Sequence, residues 1–139
     1  NLMERAVEQV KNGEFSYAPY YMDEGVKEMK NIIDNPAYSR GYKYSLHALI
    51  DMSIKYYDTT GKIINAEDIR YMQERIMLIP DHEIDLYIIE GIKKYISYCQ
   101  NHKYEVYCES IIMKHYEKLP NIKNASAEDY LVENLDWED

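Results

Sequence analysis

A chain of 139 residues, 46% of them apolar, is long enough to build a real core without disulfide or metal support. It contains no run of about eighteen apolar residues, and its first residues lack the basic, apolar and small-residue layout of an export signal, so neither a membrane span nor secretion is expected. A net charge of −9 repels a phosphate backbone and argues against general nucleic-acid binding.

Met3, Ala6, Val7 and Val10 recur at helical spacing and predict a first helix, stopped by Asn12-Gly13. Glu14 to Tyr21 contains Pro19 with Phe15, Tyr17, Tyr20 and Tyr21, and reads as an extended connector whose rings pack onto the body. Val26, Met29 and Ile33 predict a short second helix with Asp23 as its cap. Asn35-Pro36 marks the start of a third helix, which runs to about Asp58 and buries Tyr42, Leu46, Leu49, Ile50, Ile54 and Tyr57. A fourth starts at Asn65, carries Glu67 and Asp68 in its first turn, and buries Ile69, Met72 and Ile76.

Pro80-Asp81 breaks the chain before a fifth stripe of Ile84, Ile88, Ile92, Tyr95, Ile96 and Cys99. The phase shifts near Gln100 to Lys103, and a sixth helix through Tyr104, Tyr107, Cys108, Ile111, Ile112, His115 and Leu119 ends at Pro120. A last element opens at Ser126, which with Asp129 resembles a capping box. No segment alternates like a strand. The expected fold is therefore all-α, a compact bundle or helical-hairpin array of about six to seven helices. Residues 1–125 form the helical body, and residues 126–139 form an acidic amphipathic C-terminal helix or tail packed on the same domain. Helices three and four resemble helices five and six in length and order, but the landmarks of known helical repeats are missing.

The chemical constellations are weak. Cys99, His102, Cys108 and His115 have ligand chemistry, but their spacing fits no common zinc module, and both thiols fall on apolar stripes where cysteine is a small hydrophobe. His47 and Asp51 share a helix face without a nucleophile to activate. Asp81, Glu83 and Asp85 begin like a calcium loop, yet Leu86 and Ile92 stand where that loop needs glycine and glutamate. They read instead as cap and first-turn acids of the fifth helix. Arg40, Lys43, Lys55 and Lys62 interleaved with Tyr38, Tyr42, Tyr44 and Tyr56 are the nearest approach to a nucleic-acid face. No phosphate loop or hydrolase motif is present. No cofactor, metal or catalytic residue is assigned.

Two features point to another protein as partner. Sixteen tyrosines exceed what so small a domain can bury, and exposed Tyr favours interfaces. The C-terminal segment sets Tyr130, Leu131, Leu135 and Trp137 among six acids, Glu128, Asp129, Glu133, Asp136, Glu138 and Asp139, leaving only about −3 for the rest of the chain. The sequence therefore predicts a cytoplasmic, non-enzymatic adaptor or inhibitor. Its expected partner-binding residues are Tyr20, Tyr21, Glu128, Asp129, Tyr130, Leu131, Leu135 and Trp137. A homodimer is compatible with this reading. The alternatives are a small helical enzyme or ligand- or metal-binding domain with a pocket near His47 or near Cys99, His102 and His115, and a regulatory module touching nucleic acid through the third helix. The excess of Tyr, Ile and Lys resembles the coding bias of an AT-rich genome and fits a phage or mobile-element product that modulates a host machine.

Overall fold

The computed structural model describes residues 1–38 and 41–115, except for the side chain of Tyr38. The described residues are all-α. Six helices follow in order: α1 (Leu2–Lys11), α2 (Ala18–Asp34), α3 (Tyr42–Thr60), α4 (Ala66–Met77), α5 (Leu86–Asn101) and α6 (Glu109–His115). Short 3₁₀ turns occupy Pro36–Tyr38 and Asp81–Glu83. None of the described helices is long and apolar enough to cross a membrane. The chain divides into two compact units, Asn1–Asn65 and a second that begins at Ala66.

In the first unit, the Asn1 side chain accepts a hydrogen bond from the Glu4 amide at 2.8 Å and so caps α1, which buries Met3, Ala6, Val7 and Val10. The helix ends where Gly13 takes φ +77°. The Gly13 amide then reaches the Val10 carbonyl at 3.2 Å and the Glu14 amide reaches the Gln9 carbonyl at 2.8 Å, the pair of bonds that defines a Schellman stop.

The second helix is longer than the sequence suggests. Pro19 lies in the first turn of α2, where its missing N–H leaves nothing unsatisfied, so the residue read as part of an extended connector instead opens a helix. Residues 18–21 are thereby helical. A stripe of Ala18, Met22, Gly25, Met29 and Ile33 buries against its neighbours, and α1, α2 and α3 pack on one another pairwise.

The third helix starts later than expected. Asn35 Oδ1 accepts from the Ala37 amide at 3.0 Å and caps the 3₁₀ turn, and α3 begins only at Tyr42. Its buried set is Leu46, Leu49, Ile50, Met52, Ser53 and Tyr56, with Tyr42, Ile54 and Tyr57 half-buried. Burial, reinforced by the Asp23 carboxylate, raises the Tyr56 phenol above its ordinary pKa.

In the second unit α4 buries Ile69, Met72, Gln73 and Ile76. Asp85 caps α5 by accepting from the Ile88 amide at 2.9 Å, the capping role its sequence position suggests. Helix α5 is buried on most of its circumference from Ile88 to Cys99, and Tyr95 donates its hydroxyl to the Ile69 carbonyl at 2.7 Å. Asp81 binds Lys114 Nζ at 2.6 Å and lies 3.5 Å from Nε2 of the buried His115, tying α6 to the 3₁₀ turn. The hydrogen bond from Lys114 holds the Asp81 carboxyl below the usual carboxylate range, so this tie is present at neutral pH and is lost as pH falls through the lowered value.

Candidate partner-binding site

The turn between α1 and α2, with the first turn of α2, presents three large rings to solvent: Phe15 is 55% exposed, Tyr17 69% and Tyr20 60%. Local chemistry builds this display. The Schellman stop at Gly13 reverses the chain, Tyr17 occupies the boundary position before α2, and burial of Ala18, Met22 and Gly25 leaves Tyr20 on the opposite helix face. The half-buried Tyr21 receives the Arg5 guanidinium at 4.5 Å from its ring centre, and Tyr20 meets Tyr21 edge-on at 5.7 Å. Tyr20 is thus braced from α1 through Tyr21. Asp23 and Glu24 follow Tyr20 by one helical turn and add negative charge beside it, with Glu24 3.5 Å from Lys27.

Of the residues expected to bind a partner, Tyr20 and Tyr21 lie together at this turn. Phe15 and Tyr17, expected to pack onto the body, are exposed instead, because the turn is too short to carry them back over the core. Glu128, Asp129, Tyr130, Leu131, Leu135 and Trp137 lie outside the described residues, as does the helix expected from Ser126.

The second unit carries a different feature, which the sequence does not announce. Residues Tyr104 to Tyr107, expected to be helical, are an irregular segment that precedes α6. Helix α5 closes with the same pair of bonds as α1: Lys103 amide to Gln100 carbonyl at 3.3 Å and Tyr104 amide to Cys99 carbonyl at 2.8 Å. Here, however, the left-handed position is held by a lysine, Lys103, at φ +62°. A β-carbon in that region costs about 1 kcal/mol. Lys103→Gly is therefore expected to raise stability by about 1 kcal/mol, read as a higher urea midpoint with an unchanged slope.

Gln73 anchors the irregular segment. This residue, 3% exposed, accepts through Oε1 from the amides of Tyr107 at 2.6 Å and Cys108 at 3.1 Å, and donates from Nε2 to the Glu105 carbonyl at 3.1 Å. Between α4 and this segment opens a cleft of about 310 Å³, with Arg70, Glu74, Tyr104, Glu105 and Tyr107 among its walls.

Cys99 and Cys108 are buried and unbridged, and burial pushes their thiols up to about 11 and about 12, which makes them poor nucleophiles. His102 lies against the Tyr98 ring at 4.2 Å and His115 faces Asp81. Among the described residues no three His, Cys, Asp or Glu side chains gather to hold a metal. Asp51 pairs with Lys55 at 2.9 Å, and Lys43 lies over the Tyr44 ring at 5.1 Å. Tyr56, at 4% exposure, cannot stack on a base. Arg40 lies outside the described residues.

The chain matches no protein-family model, no curated protein and no solved structure.

Proposed function

We propose that this protein is a non-enzymatic binding module, an adaptor or inhibitor that docks another protein through the aromatic turn of its first unit. The observation that carries this reading is the exposure of Phe15, Tyr17 and Tyr20, close in sequence, on the hydrogen-bonded turn after α1 and the first turn of α2. Large rings bury much apolar area with few rotatable bonds to fix, which is why such groups anchor interfaces. The neighbouring acids Glu14, Asp23 and Glu24, within a chain of net charge −9, favour a partner whose contact surface has a basic rim. The acidic segment with Leu131, Leu135 and Trp137 is a second element of the same docking function.

Changing Phe15, Tyr17 and Tyr20 together to Ala is expected to abolish partner capture from an extract of the source or its host. Stability is expected to stay within about 0.5 kcal/mol of the parent, since exposed side chains are removed. Capture that survives this triple change but disappears on truncation after Ala125 moves the anchor to the acidic segment. Capture that survives both changes sinks the reading.

A further inference from the structure

We propose that the cleft between α4 and residues 104–107 is a receptor for a single cationic side chain, an alkylammonium or guanidinium group presented by a partner polypeptide. Two tyrosines, Tyr104 and Tyr107, and two carboxylates, Glu74 and Glu105, stand on its walls. Aromatic rings and carboxylates are the side chains that best replace the water an ammonium or guanidinium group loses on binding. A volume of about 310 Å³ accommodates a long aliphatic stem with its charged head. Arg70 is the one basic residue on these walls, and it sits one turn from Glu74 on the same face of α4, so the walls carry a net negative charge.

The walls are also built rather than incidental. The Gln73 amide spends its acceptor and its donor on the backbone of Glu105, Tyr107 and Cys108, fixing the segment that carries both rings. Lys103 holds a left-handed conformation immediately before Tyr104, a local cost sustained where a glycine would relieve it. Strain and a buried polar clamp thus converge on the segment that faces α4 across the cleft. This site is distinct from the aromatic turn of the first unit and stands or falls independently of the docking role given to that turn.

The test is a titration of the isotopically labelled full chain, followed by amide chemical shifts. The probes are N-acetyl-lysine methylamide and N-acetyl-arginine methylamide, with N-acetylglycine as an anionic control. Saturable shifts centred on Glu74 and residues 104–107 are expected, with dissociation constants on the order of millimolar for an isolated side chain. Glu74→Gln with Glu105→Gln is expected to weaken binding about tenfold, and Tyr107→Ala to weaken it about fivefold while leaving its backbone bond to Gln73 intact. Arg70→Ala is expected to tighten it about threefold by removing a like charge. No saturable shift with either cation overturns the proposal, as does binding indifferent to the paired carboxylate change. Saturation by N-acetylglycine that is lost in Arg70→Ala also overturns it, and makes the cleft an anion site.

Discussion

Replacing Gly25 with alanine is expected to lower the stability of the first unit by about 2 kcal/mol, although alanine is the better helix former by about 1 kcal/mol. The reason is the approach of α1 to α2 at this position. A β-carbon on Gly25 would stand 2.5 Å from Met3 Cγ, 2.7 Å from the Met3 backbone nitrogen and 3.2 Å from the Leu2 carbonyl carbon. A side-chain atom can swing aside, but a backbone nitrogen moves only if α1 moves. The retreat of α1 would loosen Met3, Ala6 and Met22, each essentially inaccessible to water. Urea denaturation followed by far-ultraviolet circular dichroism measures the loss. Adding Met3→Ala is expected not to restore stability, because the backbone clash remains and a buried side chain has been deleted as well. A Gly25→Ala chain as stable as its parent would show that α1 and α2 are not held at this distance.

Sequence alone does not reveal that close approach, because a glycine inside a helix looks the same whether or not a neighbouring backbone presses on it. The start of α2 is hidden for another reason, since Pro19 beside four aromatic residues reads as a connector. Proline in a first turn and proline in a connector have the same local chemistry, and only the packing of Ala18 and Met22 separates them. Elsewhere the apolar period was decisive. Met3, Ala6, Val7 and Val10 are buried as spaced, and so are Ile69, Met72 and Ile76. In α3 the expected stripe is rotated, since Met52, Ser53 and Tyr56 go inside while Ile54 and Tyr57 stay half-buried. A helix that is wet on only part of its circumference does not state from sequence which edge of a wide stripe faces the core.

The aromatic turn was half legible. A surplus of tyrosine forces some rings outward, but which ones depends on the length of the turn and the register of α2. The cleft of the second unit was not legible at all. A positive φ at a lysine leaves no mark in sequence, and the spacing of Tyr104 and Tyr107 with Cys108 and Ile111 predicts a helix there. One signal was present: Gln73 falls in register with Ile69, Met72 and Ile76, and a polar amide at a core position announces that it must have buried partners.

Those partners make Gln73 the position where the largest loss is expected. Gln73→Leu removes one donor and one acceptor and leaves the Tyr107 and Cys108 amides without the oxygen they share, for a loss of about 3 kcal/mol. The Cys108 amide is buried, so water cannot replace that oxygen without opening the segment. Hydrogen exchange at Tyr107 and Cys108 is therefore expected to accelerate by far more than exchange in α1 to α3. Gln73→Glu keeps an oxygen facing both amides, but when ionised it sets a second acceptor against the Glu105 carbonyl and brings a charge to a position only 3% exposed. The change is therefore expected to cost about 2 kcal/mol at neutral pH and less, relative to the parent at the same pH, where the carboxyl is protonated and donates to Glu105 again. A protonated glutamate variant as destabilised as the leucine variant would show that the bonds to Tyr107 and Cys108 contribute little. If neither is destabilised, residues 104–107 are not held by α4, and the wall that presents Tyr104 and Tyr107 to a cation has no foundation.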